Sequence, residues 1–122
     1  MEISLETPNA SYYIRSYRAG EIISNHKSHP HSILLTRNTL LEWAPNTLDD
    51  LQAEHLEAII QLKPQLILLG TGRQHRFPKT ALLAPLYQAR IGLEIMSTDA
   101  ACRTYNLLAD EGRNVLAALL IE

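Results

Sequence analysis

With a single cysteine, Cys102, the 122-residue chain cannot form an internal disulfide, which agrees with a reducing compartment. Long apolar runs are missing as well. None reaches the ~18 residues needed to cross a bilayer, and the opening "MEISLETPN" lacks the basic-then-apolar layout of a secretion signal. The expected location is therefore the cytoplasm, with no transmembrane segment. Net charge is small, formally -2 with a pI of about 6.2, which disfavours nucleic-acid binding, since that calls for a strongly basic domain. No repeat, linker or low-complexity tract interrupts residues 1–122, so the expectation is a single domain.

What is present is enough for a genuine core. Hydrophobic residues make up 46% and charged residues 20%, a globular composition, and a chain of this length buries roughly two-thirds of its extended surface on folding. Charge is also sorted along the chain. Asn38 to Leu62 holds five acids (Glu42, Asp49, Asp50, Glu54, Glu57) and no lysine or arginine, whereas Ala58 to Leu93 holds five bases (Lys63, Arg73, Arg76, Lys79, Arg90) and no acid. Such blocks either solvate two faces or set a positive patch beside a negative one.

The first third reads as β. "YYIRSY" (12–17) and "EIISN" (21–25) flank Gly20, which can take positive φ and close a hairpin; "SILLT" (32–36) and "TLLEW" (39–43) flank Arg37-Asn38 in the same way. Ala44-Pro45-Asn46 ends the β portion. From Thr47 the period becomes helical. Thr47-Leu48-Asp49-Asp50 resembles a capping box, and Leu48, Leu51, His55, Ile59 and Leu62 would share a face, with the helix starting at Thr47 or near Gln52 and stopping before Pro64.

"LILL" (66–69) is apolar at every position, as in a parallel strand covered on both sides. A helix follows over about Thr80 to Arg90, with a late start or a kink expected from Pro85. "IGLEIM" (91–96) is a strand, Ser97-Thr98 caps a helix from Asp99 to Glu111, and Gly112 ends it. Asp99 and Arg103 are spaced to pair, and Ala101, Tyr105 and Leu108 form the inner stripe. "NVLAALLI" (114–121) supplies a last buried strand. The order predicts an α/β fold in three layers: a mixed central sheet with helices on both faces and an N-terminal β-hairpin layer.

"LLGTGRQHRFP" and the run E-x-M-x-T-x-x-A-x-x-T-Y-N-x-L-x-x-E-G-R from Glu94 to Arg113 resemble a small domain-of-unknown-function family. That family includes the mitochondrial NADH dehydrogenase (respiratory complex I) assembly factor, the adipogenesis-associated protein with the same archaeal-type domain, and bacterial homologues. "IRSYRAGEII", "SILL" and "EWAP" extend the similarity over nearly the whole chain, although Trp43-Ala44-Pro45 stands where the family pattern has Trp-Pro adjacent. The resemblance implies a three-layer α/β fold with a mixed sheet. It implies no defined reaction, and by analogy a non-enzymatic assembly or interaction role with a protein partner.

The residues themselves offer one candidate rim. Gly70-Thr71-Gly72 starts like a dinucleotide turn, but His75 stands where a third glycine belongs, and a Walker loop is absent, so no cofactor is called for. Ligands nonetheless bind beyond the carboxyl ends of parallel strands. If the strands preceding Gly70 and Ser97 run parallel, backbone amides near Gly72 and Thr98 would converge on a small anion, with Arg73 and Arg76 adding charge; the alternative is a tight bend and nothing more. Glu94 is read in the middle of a covered strand, either ion-paired to Arg103 or Arg113, or facing the rim with Thr98, Thr104 and Asn106 as a polar-ligand or acid/base group. The candidate ligand set is therefore Gly70, Thr71, Gly72, Arg73, Arg76, Glu94, Thr98 and Asn106, with no catalytic residue assigned.

His26, His29 and His31 fit no standard metal spacing. His55 reads as a partly buried core residue, and His75 sits in the glycine loop where a general base is conceivable. Cys102, in the first turn of a helix whose dipole lowers a thiol pKa, reads mainly as packing. A homodimer through a sheet edge or hairpin is a third possibility.

Overall fold

The structure, a computed structural model, describes residues 10–122. The reading of "MEISLETPN" (1–9) lies outside the described residues.

Two sheets form. β1 (Ile14–Arg18), β2 (Glu21–Ser24) and β3 (Ser28–His29) make a small antiparallel sheet in the order β1-β2-β3. β4 (Ile33–Leu35), β5 (Leu40–Glu42), β6 (Leu66–Gly70), β7 (Gly92–Met96) and β8 (Val115–Leu119) make a five-stranded mixed sheet in the order β5-β4-β8-β6-β7. β6 runs parallel to both β7 and β8, while β4 is antiparallel to β5 and β8. Both hairpins expected from the sequence are present, the first turning at Gly20 with φ +87°. β3 was not anticipated, because two residues are too few for a periodic signal.

Three helices cover the large sheet: α1 (Ala53–Gln61), α2 (Thr80–Gln88) and α3 (Thr98–Asp110). The central strands show why alternation is missing from their sequences. Along β8, Val115, Ala117 and Leu119 pack with Ala101, Tyr105 and Ala109 of α3, while Leu116 and Ala118 pack on the other side with Leu56 and Ile59 of α1 and Leu83 and Leu86 of α2. β6 divides the same way, Leu68 toward α3 and Ile67 and Leu69 toward α1 and α2. Each fully buried Leu or Ile contributes roughly 1.5–3 kcal/mol by transfer from water. The three-layer, mixed-sheet architecture is thus the one expected.

Three local expectations change. Thr47 and Gln52 both start something: Thr47 Oγ1 accepts from the Asp50 amide at 3.3 Å and caps a single 3-10 turn over Leu48–Asp50, after which the chain extends at Leu51 and restarts as α1. The break shifts the helical phase, so Leu56 and Ile59 are buried while Leu62 is 37% exposed. At the restart the Gln52 amide donates to His55 Nδ1 at 2.9 Å, giving the partly buried His55 a capping duty. α2 begins at Thr80 with Pro85 inside it; the start is not late, and the missing Pro85 amide leaves one intrahelical hydrogen bond unmade. α3 is capped as expected, Ser97 Oγ accepting from the Ala100 amide at 3.3 Å and Gly112 turning at φ +84°.

Candidate functional site

β6, β7 and β8 all point their carboxyl ends the same way, so the glycine turn, the start of α3 and the chain end meet at one rim. The contact between the first two is intimate. The Gly72 amide donates to Thr98 Oγ1 at 2.8 Å, the Thr98 amide donates back to the Gly72 carbonyl at 2.8 Å, and the Thr98 hydroxyl donates to the Leu120 carbonyl at 2.8 Å. Thr98 is fully buried. A Cβ placed on Gly70 would lie 2.8 Å from Thr98 Cα and 2.9 Å from Thr98 Oγ1, inside any normal contact. Gly72 sits at φ +101°, where a side chain is strained. Both glycines are therefore required by close approach, and the two amides expected to face an anion are bonded within the protein.

Thr71 closes the loop beyond. Its amide donates to the Met96 carbonyl at 2.9 Å, its hydroxyl donates to the Gln74 carbonyl at 2.5 Å, and the same oxygen accepts from the Arg76 amide at 3.1 Å. Outside this buried floor the chain changes character abruptly: every residue from Arg73 to Phe77 is exposed. Thr71, Arg73, Gln74, Arg76 and Glu122 border a small hollow of about 100 Å³. Tyr17 holds Glu122, donating its hydroxyl to the Glu122 carbonyl at 2.5 Å. Burial raises the Tyr17 phenol above its ordinary pKa, with Cys102 adding to the shift and the nearby Arg73 guanidinium opposing it. Arg76 reaches across to Asp49 at 3.2 Å.

Two expected members lie away from this rim. Glu94 is one pleat back on β7, and β7 is the edge of the sheet, so Glu94 is exposed and not in a covered strand. Its carboxylate has no salt bridge within 4 Å among the described residues; Arg103 pairs with Asp99 instead. A charge in the middle of an edge strand discourages pairing with another chain, which accounts for its position without a ligand. Asn106 is about 12 Å down the α3 axis from Thr98, where its Oδ1 accepts from the Ile14 amide at 2.9 Å and its Nδ2 donates to the Ile14 carbonyl at 2.8 Å. The neighbouring Tyr105 hydroxyl donates to the Tyr12 carbonyl at 2.7 Å. Tyr105-Asn106 is a clasp that fastens the hairpin layer onto α3.

The remaining singled-out residues are scattered. His29 is buried, its Nε2 2.9 Å from Ser24 Oγ and its Nδ1 without a hydrogen-bond partner. His31 Nε2 lies 3.2 Å from Glu42, and the His26 ring sits 4.9 Å from that of Tyr12, tilted by 44°. Desolvation, then the charges of Lys27, His31 and His26, hold the His29 pKa below its usual value. His75 leans on Phe77 with ring centroids 4.8 Å apart. The Cys102 thiol is buried and pushed up to about 12, chiefly by desolvation, with Asp99 adding and Arg103 opposing. Burial outweighs the helix dipole, so it stays a thiol at neutral pH.

Tyr17 and Glu122 meet at the rim and were not anticipated, whereas Gln74, which also borders the hollow, falls within the Gly70 to Arg76 loop singled out from the sequence. Of the two, only Glu122 left a trace in the sequence: a chain-final strand parallel to β6 must leave the sheet at the same end.

A family model described as "Protein of unknown function (DUF498/DUF598)" matches residues 14–120. Among curated proteins, a "13 kDa major membrane protein" of Francisella tularensis is 31% identical, covering 98% of this chain and 99% of its own length. The NADH dehydrogenase [ubiquinone] 1 alpha subcomplex assembly factor 3 of Rattus norvegicus is 31% identical over 94% of this chain, which spans 63% of that relative's length. Among solved structures, an NMR structure from Xanthomonas campestris superposes with a TM-score of 0.82 at 38% identity, covering 99% of this chain and 92% of the other. A crystal structure from Bordetella parapertussis gives 0.84 at 33%, covering 93% and 98%.

Proposed function

The chain belongs to this DUF498/DUF598 family, and from that premise we propose that it acts as a non-enzymatic interaction or assembly protein, with a protein partner and a role in building a respiratory complex. The observation that carries the reading is that relatives named as assembly factors align with nearly the whole of this chain. The rim is compatible with it: Thr98 and the two glycines serve the fold, leaving the exposed stretch Arg73 to Phe77 to meet something else. The proposal keeps the working protein in the cytoplasm. No helix among the described residues is long and apolar enough to cross a membrane, and since one relative is named a membrane protein, cell fractionation belongs to the test. In a strain lacking the gene, assembled NADH dehydrogenase should fall and partly assembled subunits should accumulate on native gels. Normal assembly, together with no subunit recovered on the tagged protein after cross-linking, would overturn the reading.

One observation favours a second reading, a small-anion site. Arg73 and Arg76 flank the 100 Å³ hollow with Gln74 beside them. Of the candidate residues that border this hollow, Arg73 and Arg76 are the exposed ones. Phosphate or a dicarboxylate should then raise the melting temperature of the wild-type protein and leave an Arg73→Ala, Arg76→Ala variant unmoved. Equal shifts in both, or none, would remove this reading.

A further inference from the structure

We propose that the hollow bordered by Arg73 and Glu122 binds a small amino acid, carboxylate toward Arg73 and ammonium group toward Glu122, a site that rests on the anion reading above and names the anion. The five residues that line it, Thr71, Arg73, Gln74, Arg76 and Glu122, are all polar, and three of them are charged. Arg76 is taken up by Asp49 at 3.2 Å. Arg73 and Glu122, by contrast, make no salt bridge within 4 Å among the described residues, either with each other or with another group. One cation and one anion thus border the same hollow without meeting across it.

The backbone holds the carboxylate in place. The Glu122 amide donates to the Asn46 carbonyl at 3.2 Å, and the Glu122 carbonyl accepts from Tyr17. The side chain lies against Gly72, where an added Cβ would stand 3.4 Å from Glu122 Cβ and 3.5 Å from Oε1, so the missing side chain at Gly72 makes the room that Glu122 uses. Tyr17 feels both charges: under the larger rise from burial and from Cys102, Arg73 draws its phenol pKa down and Glu122 pushes it up. On the basic side, the amides of Arg73 and Gln74 and the side chain of Gln74 make no hydrogen bond among the described residues, which leaves neutral donors beside the guanidinium for carboxylate oxygens.

Charge and size select the ligand. A simple anion is drawn by Arg73 and repelled by Glu122, and a simple cation meets the reverse; a molecule carrying both charges is attracted at both ends. At about 100 Å³ the hollow is smaller than the ~150 Å³ cavity that encloses benzene. Glycine, alanine or β-alanine therefore fits, and a large side chain stays outside.

NMR titration of the full chain with glycine, acetate, ethylamine and phosphate tests the site. Glycine should shift the Arg73 Nε and Gln74 side-chain signals and bind about tenfold tighter than acetate or ethylamine, each of which has one charged end. Glu122→Gln leaves the backbone bonds of residue 122 intact; it should cost glycine about tenfold and leave acetate as tight or tighter. Arg73→Gln should weaken both, and Glu122→Lys should turn the preference from glycine to malonate. Acetate or phosphate binding as tightly as glycine, or glycine indifferent to Glu122→Gln, would overturn the amino-acid site and leave the anion reading standing. If none of the four probes moves the Arg73 and Gln74 signals, both fall.

Discussion

Within eight residues the segment that starts at the last residue of β6 is two different things. Gly70 to Gly72 is buried, with its glycines pressed against Thr98 and Glu122 and the Thr71, Gly72 and Thr98 amides bonded internally; Arg73 to Phe77 is exposed without interruption. The difference teaches that a glycine-rich turn at the carboxyl ends of parallel strands need not be a ligand cradle. Here the glycines let two chain reversals touch, and the touching uses up the amides that a cradle would offer. The side chains left exposed are those one turn of chain further out, from Arg73 to Phe77.

Substitutions in the floor and in the lip should therefore separate by energy. The largest effect is expected for Gly70→Ala, because backbone on both sides must shift to admit the Cβ; overpacking of this kind costs roughly 1–3 kcal/mol or more, read as a fall in the urea midpoint. Thr98→Val comes next, since it strands the buried Gly72 amide and Leu120 carbonyl at roughly 1–3 kcal/mol for a buried group left unpaired, while Thr98→Ser should recover most of that loss. If Thr98→Val were neutral, floor and lip would not differ in kind.

Asn106→Ala gives the same test one step removed, for it frees both polar groups of Ile14 and should cost about 1–2 kcal/mol. Its particular signature is early loosening of the hairpin layer, seen as faster hydrogen exchange at Ile22 and Ile23 than in the large sheet. Arg73→Ala and Gln74→Ala in the lip should stay within about 0.5 kcal/mol of wild type.

His29 adds a pH-dependent term. Its folded pKa lies below the unfolded value, so the stability it protects is fully present above the unfolded pKa near 6.5 and is lost as pH falls toward and through the folded value. His29→Gln should flatten that acid-side slope in urea melts between pH 7 and pH 5. An unchanged slope would assign it to other groups.

How much of this was legible in the sequence follows from the range of each interaction. "LILL" and "VLAAL" announce covered strands because both faces of each strand are recorded in its own residues, and the Ser97 cap and the Asp99–Arg103 pair are as local as their spacing. Strand order is not local. Nothing near Glu94 says that β8 inserts between β4 and β6 and leaves β7 at the edge, so a carboxylate that looked trapped is in fact exposed. Asn106 was grouped with the rim because it is close to Thr98 in sequence, yet its partner Ile14 is 92 residues away. The rim was located by the parallel-strand rule, but whether its amides were free depended on the gap between two loops, which a sequence does not encode.

Amide hydrogen exchange followed by NMR, with and without added phosphate, bears on the central claim most directly. The Gly72 and Thr98 amides should exchange as slowly as those of β6 and β8, opening only with the whole fold, and phosphate should leave them unchanged. Rapid exchange at both, slowed when phosphate is added, would mean that the turn is a cradle after all.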